Sequence, residues 1–249
     1  MHLLVINPNT SASVSALMHA RMQLACQGRA TLEVVTARLG APYIASEASF
    51  AVAAHAALDA WAVATQSTRP DAVLIGCFGD PGLFALSECS AAPVTGLAQA
   101  AFRQAAAHGP FAIVTGGAAW APMLHRHALA TGHAPLLAGI HTVQETGAAL
   151  AADRGLAQRV LSEACLAAAA DPRVRSIIVG GAGLAGMAQW LQPLLPLLPL
   201  PLIDSVDAGV NEALALAAAG APPRAPVAVA PWSGVSPELA HWSRTAAGA

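Results

Sequence analysis

Short apolar runs alternate along the whole chain with alanine-rich stretches. The runs are four to six residues long in rough terms, rich in Val, Ile and Leu, and bounded by Gly, Pro, Asn or Asp, which is the pattern of strands buried on both faces. They predict strands at His2–Ile6, Leu32–Thr36, Ala72–Gly76, Pro93–Leu97, Phe111–Thr115, Leu136–Ile140, Ser176–Gly180 and Leu200–Ile203, with a last short strand near Val227–Ala230. The intervals predict helices at Ser11–Cys26, Ser46–Gln66, Gln99–Ala107, Gln144–Ala170 with a break, and Val206–Ala219. Strands and helices in strict alternation give an α/β fold with mainly parallel sheets flanked by helices.

The first four strands and the next four repeat one another. LLVINPNT aligns with FAIVTGGA, DAVLIGCFG with RSIIVGGAG, and PVTGLAQAA with PLIDSVDAG. The repeat predicts two similar lobes related by a pseudo-two-fold axis, residues 1–97 plus 203–249 forming one and 98–202 the other. Ligands of open α/β sheets bind beyond the carboxyl ends of strands, so the matched loops are expected to line a cleft between the lobes.

The alignment pairs Cys77 with Gly181, so one half offers a thiol where the other offers only backbone. In Gly76-Cys77-Phe78-Gly79-Asp80-Pro81-Gly82, Asp80 reads as an N-cap and Pro81 as the first helical residue, which sets Cys77 just before a helix start whose N–H groups favour a thiolate. Asp80 acts the other way. Gly79 lets backbone approach a ligand. Cys26, Cys89 and Cys165 fall on or after helices and read as structural. Asn7-Pro8-Asn9-Thr10-Ser11 joins a strand to a helix and either caps that helix or holds an anion. Its repeat partner Thr115-Gly116-Gly117 is either a tight turn or a source of hydroxyl and N–H groups. Tyr43 and Ser46 stand near the expected cleft edge, Tyr43 with its ring on the core.

Composition narrows the functions. The chain has 249 residues, 55% hydrophobic and only 10% charged, with a net charge of −2. Disorder is excluded by so little charge, and scattered basic residues give no patch for nucleic acid or an anionic membrane. A surface this poor in charge favours a homo-oligomer. MHLLVINPNT lacks the layout of a signal peptide, and Pro193–Ile203 is too short and too proline-broken to span a bilayer. Four cysteines without C-x-x-C spacing fit a reducing cytoplasm and argue against structural zinc. The histidines show no metal-binding spacing, since His125 and His127 point to different sides of a helix. Gly181-Ala182-Gly183-Leu184-Ala185-Gly186 matches G-x-G-x-x-G, with Asp204 ending the next apolar run, but Pro193 cuts the required helix short. A nucleotide-binding oxidoreductase is therefore the least favoured class. No G-x-S-x-G elbow is present.

INPNTS, GAPYIAS, CFGDPGL, PVTGLAQAA and PLIDSVDAGV together resemble the aspartate/glutamate/hydantoin racemase superfamily, especially its hydantoin and allantoin racemase branch. The resemblance implies two four-stranded lobes, a cleft between them and no cofactor. It also implies proton transfer at a carbon next to a carbonyl, between two cysteines that face each other across a small substrate with carboxylate, imide or carbonyl groups. Cys77 is implied to be one of the pair. Asn7, Thr10, Phe78, Gly79, Thr115, Gly116 and the Gly181, Ala182, Gly183 backbone are implied to hold the substrate. Gly181 stands where relatives carry the second cysteine, and Gly116 where they commonly carry a threonine. Glycine cannot be the opposing acid. A bound water, Asp204, or chemistry that needs one thiol only would have to replace it. The last corresponds to relatives that decarboxylate or isomerise a small acid. A non-catalytic small-molecule binding protein is the alternative from another class.

Overall fold

LLVI within β1 (His2–Asn7), AVLI of β3 (Ala72–Ile75), FAIVTG of β5 (Phe111–Gly116) and SIIVG of β7 (Ser176–Gly180) are buried without interruption. Runs of this kind suit strands with a neighbour on each side and cover on each face. The computed structural model describes residues 1–220 and 230–247, and in it these four are the inner strands of two four-stranded sheets. With β2 (Thr31–Thr36), β4 (Val94–Gly96), β6 (Leu137–Val143) and β8 (Leu202–Asp204), the strand orders are β2-β1-β3-β4 and β6-β5-β7-β8. Every pairing is parallel, and the register aligns Ile6 with Ile75 and Thr115 with Gly180, so the loops after β1 and β3, and after β5 and β7, emerge side by side. The last expected strand, Val227–Ala230, falls outside the described residues except for Ala230, which is not in a strand.

The helices start where the sequence offers caps. Ser11 accepts from Val14 N–H ahead of α1 (Ala12–Cys26), and Ser46 forms a reciprocal capping box with Ser49 ahead of α2 (Glu47–Ala64). The next elements are α3 (Leu83–Cys89), α4 (Leu97–Ala106) and α5 (Trp120–Ala130). The break expected in Gln144–Ala170 lies at Asp153, which ends α6 (Gly147–Ala152) and caps α7 (Arg154–Ala169) through Leu156 N–H. The chain continues through α8 (Met187–Leu191), α9 (Ser205–Ala219) and α10 (Pro237–Ala247).

Two helices exchange sides. α4 begins at the residue after β4 yet packs on β7 of the second sheet; α9 begins at the residue after β8 yet packs on β3 of the first. α4 and α9 also pack on each other. Gly209 allows this, because a Cβ there would lie 2.7 Å from Leu97 Cδ2 and 3.2 Å from Leu74 Cδ1. β8 stays in the second sheet through Asp204, which pairs with Val179 of β7. One apolar core therefore runs unbroken from Leu3 and Leu74 through Phe102 to Phe111 and Ile178, and a second fills the far face of β5 and β7 around Val114, Leu161, Val179 and Leu191. Non-directional burial of this kind is the main force holding the sheets together.

Candidate active site

The carboxyl ends of β1, β3, β5 and β7 converge on a cavity of about 380 Å³. Cys77 and Phe78 enter its wall from the β3 loop, Thr115 and Gly116 from the end of β5, and Gly181, Ala182 and Gly183 from the β7 loop. Asn9, Ser13 and Leu17 contribute from the β1 loop and α1, Tyr43 and Ile44 from the β2 loop, and Gly147 and Ala148 from α6. Among the described residues none that lines the cavity is Asp, Glu, Lys, Arg or His. The polar side chains in it are Asn9, Ser13, Tyr43, Cys77 and Thr115.

Cys77 is the one cysteine of the four that reaches the cavity. It is 7% exposed, and burial lifts its thiol well above the ordinary cysteine range. The Asp80 carboxylate adds to that rise, so the resting group is the neutral thiol. The helix that was expected to favour a thiolate begins only at Leu83, with Gly82 at its N-cap. Asp80 does not cap it, and Pro81 precedes it. Gly79 (φ +140°) and Asp80 (φ +52°) instead turn the chain so that the Asp80 carboxylate leaves the loop and accepts from Ala98 N–H at 2.9 Å and Gln99 N–H at 2.7 Å. Asp80 thus caps α4, not α3. Burial also raises the other three thiols, Cys165 to about 12 and Cys89, beside Glu88, to about 11, and Cys26 against the opposing pull of Arg29.

Three residues expected to hold substrate lie outside the wall. Asn7 is fully buried behind it. Its amide N–H groups serve Asn9 Oδ1, the Ser11 carbonyl and Ser15 Oγ, and its carbonyl accepts from Asn9 N–H, so the side chain is spent on folding the β1 loop. The Thr10 N–H donates to the Ala41 carbonyl, and Thr10 does not line the cavity. Gly79 makes room for Trp120, since a Cβ on it would sit 2.6 Å from the indole. Gly117 (φ +90°) accommodates the other edge of the same indole and the Tyr43 hydroxyl. Trp120 and Tyr43 are wall residues that sequence reasoning missed or set on the core. A Trp just after a Gly-Gly turn at a strand end was the available signal. Ser46 is used as a cap and does not line the cavity.

Thr115 donates to the Gly180 carbonyl at 2.7 Å, which ties β5 to β7 at the cavity edge and leaves its lone pairs to accept. The Phe78 ring lies against Gly180, where any Cβ would meet it at 2.3 Å. Gly181, the partner of Cys77 in the repeat, has φ +140° and ψ 138°, a backbone that residues with a Cβ rarely adopt. Its N–H donates to Ser205 Oγ. Asp204 is turned away from the site. It is 4% exposed and accepts from Gly186, Val206 and Asp207 N–H. Burial, with Asp207 nearby, raises its carboxyl to about 6 against those bonds. It is therefore neither a substitute acid facing Cys77 nor a free carboxylate for a ribose, and the Gly181–Gly186 turn leads into one turn of 3₁₀ helix and the short α8 in place of a long nucleotide-binding helix. Among the described residues no three His, Cys, Asp or Glu side chains cluster to hold a metal, and no helix is long and apolar enough to cross a membrane.

Residues 3–213 match the family model described as Asp/Glu/Hydantoin racemase. The chain belongs to this family. It is 31% identical over 222 residues to a hydantoin racemase of Paenarthrobacter aurescens, covering 88% of this chain and 92% of that one. The allantoin racemase from Klebsiella pneumoniae superposes with a TM-score of 0.81 at 31% identity, covering 88% of this chain and 89% of the other. The allantoin racemase from Pseudomonas fluorescens shares the fold with the same TM-score at 24% identity, over 88% and 92% of the two chains. The two-sheet α/β architecture is thus that of the racemase family.

Proposed function

We propose that the protein is a cofactor-independent enzyme that transfers a proton at a carbon next to a carbonyl, with Cys77 as the group that carries it. The observation behind this is the single thiol, Cys77, at the end of β3 in a cavity whose lining among the described residues is uncharged. The same observation favours a hydantoin-like ring over a free amino acid. An amino acid brings an ammonium and a carboxylate, and burying either without an ionic partner is costly. An imide ring brings neutral N–H and C=O groups that suit Asn9, Ser13, Thr115 and nearby backbone, and leaves the apolar wall of Leu17, Tyr43, Phe78 and Trp120 for a bulky substituent. The names of the two relatives at 31% identity point to the same chemistry. Loss of the Cα proton places charge on the neighbouring oxygen, and N–H and hydroxyl donors at the wall stabilise it, about 3–4 kcal/mol for one such donor.

A second reading is one-sided proton delivery, as in decarboxylation or isomerisation of a small acid. It draws on the glycine-only backbone at Gly181 and on the resting thiol, which is a proton donor before it is a base. Incubation of each enantiomer of a 5-benzyl hydantoin in deuterated water separates the two. Deuterium at Cα with loss of optical activity supports racemisation. Deuterium in one enantiomer with rotation retained supports one-sided transfer. Thermal stabilisation by ligand without any turnover, over hydantoins, amino acids and malonates, would mark a binding protein. Full turnover by Cys77→Ala would remove Cys77 from the chemistry.

A further inference from the structure

The Asp80 carboxylate has a third partner besides the two α4 N–H groups. Nε2 of His127 lies 2.9 Å from Oδ2. Asp80 is 2% exposed and His127 3%, and His127 belongs to α5, which starts from the opposite side of the cavity. His125, two residues earlier, is exposed, so the helix face selects His127. The second half of the chain repeats the cap but not the pair. There the capping carboxylate is Asp204 at the end of β8, the position that Gly96 holds in the first half, and Leu184 stands where Asp80 stands. A buried acid behind the turn, with a histidine on it, is therefore present only in the half that carries the thiol.

Charge gives this pair a consequence. A carboxylate three residues from Cys77 opposes thiolate formation, and in a buried setting the effect is poorly screened. An imidazolium bonded to that carboxylate offsets part of its field. We propose that His127 is a positioning residue for Cys77: held as an imidazolium on Asp80, it offsets part of the carboxylate's charge behind the thiol and so helps the sulfur exchange its proton with bound substrate. In one direction the Cys77 thiolate takes the Cα proton and becomes the thiol, leaving the electron pair on the neighbouring substrate oxygen; in the other the thiol returns that proton to the carbon, while His127 keeps both ring protons and Asp80 stays a carboxylate. Among the described residues, His133, which follows α5, interacts with His127, and Arg103 on α4 acts on His133. Burial and the Arg103 charge hold His133 toward its neutral form, and Arg103 is paired with Glu212, so Asp80 is the anion that His127 answers.

This inference rests on Cys77 as the reacting group, but its test does not need turnover. The full chain is treated with iodoacetamide at pH 7.5, and the peptide containing Cys77 is followed by mass spectrometry. His127→Gln keeps an N–H for Asp80 and removes the charge; alkylation of Cys77 is expected to slow about tenfold, the size of one unit of thiol pKa. Asp80→Asn removes the opposing charge and is expected to speed it. A role in packing alone would expose the sulfur and speed alkylation in both variants. Unchanged or faster alkylation in His127→Gln overturns the proposal by itself, even if Asp80→Asn fails to fold. Full turnover by Cys77→Ala would sink the functional reading and leave these rates standing, so the two failures are distinguishable.

Discussion

Gly96→Ala tests whether Asp80 fastens the Cys77 turn. Gly96 has φ −137°, a backbone that alanine adopts freely, so the change introduces a clash and nothing else. The new Cβ would lie 2.2 Å from Asp80 Cγ, 2.3 Å from Oδ1 and 2.6 Å from Oδ2. A carboxylate at the end of a free side chain would swing aside at little cost. This one is pinned by Ala98 N–H, Gln99 N–H and His127, and retreat by more than an ångström breaks all three. Hydrogen bonds to a charged group are worth about 1.5–3 kcal/mol each, and the α4 N–H groups would be left buried and unpaired. With partial relaxation, the expected loss is about 3–5 kcal/mol of unfolding free energy. Asp80→Ala is expected to cost a similar amount, because it removes the same bonds. The double variant should cost no more than Asp80→Ala alone, since the added methyl then enters vacated space. Urea unfolding of the four proteins gives the coupling energy, expected at about 3 kcal/mol. Additive single effects, or a Gly96→Ala loss below about 1 kcal/mol, would show that the carboxylate is not held as described.

Gly181→Ala should destabilise for a different reason. Its Cβ would meet only Leu184, at 3.5 Å, yet the φ of +140° costs about 1–3 kcal/mol for a non-glycine residue; a neutral result in urea unfolding would argue against that backbone. Asp204, raised to about 6 from an ordinary value of 3.8, binds a proton more readily folded than unfolded. Stability from this group is therefore greatest below about pH 4 and falls as pH rises toward 6, by about 3 kcal/mol in all, and the difference between wild type and Asp204→Asn across that window should show this slope. Asp59 is fully buried, and its carboxyl is held below the usual range by Arg38 despite burial. Arg38→Ala should cost about 3 kcal/mol by stranding that charge, and wild type should lose the benefit as acid protonates Asp59; equal melting temperatures for variant and wild type at pH 7 would refute it.

The inner strands were plain in the sequence because LLVI, AVLI, FAIV and SIIV have a single reasonable use, and the internal repeat announced two sheets. Cys77 was legible as the end of such a strand in a glycine-rich turn. What the turn does was not. Asp80 looked like a cap for the nearest helix, but two consecutive residues with positive φ carry its carboxylate to α4, and the vacancy that receives it is the missing side chain of Gly96, distant in sequence. Asn7 invited a ligand role because Asn-rich loops serve both ligands and folding. Its four hydrogen bonds to the β1 loop and the start of α1 decide the matter, and they exist only in three dimensions. Trp120 escaped notice, and Tyr43 was set with its ring on the core, for the reverse reason: large aromatic residues are most often core, and the facing glycines 79 and 117 bring these two to the wall.

The crossing of α4 and α9 has no loop at either end, since Leu97 follows Gly96 and Ser205 follows Asp204 directly from strand into helix. A hinge needs residues free to change φ and ψ, and here both connections are already fixed by helical geometry and by capped N–H groups. Opening the molecule like a clamshell would mean tearing each helix off the sheet it has borrowed. Access for a substrate is then expected from the rim, where Tyr43 is partly exposed.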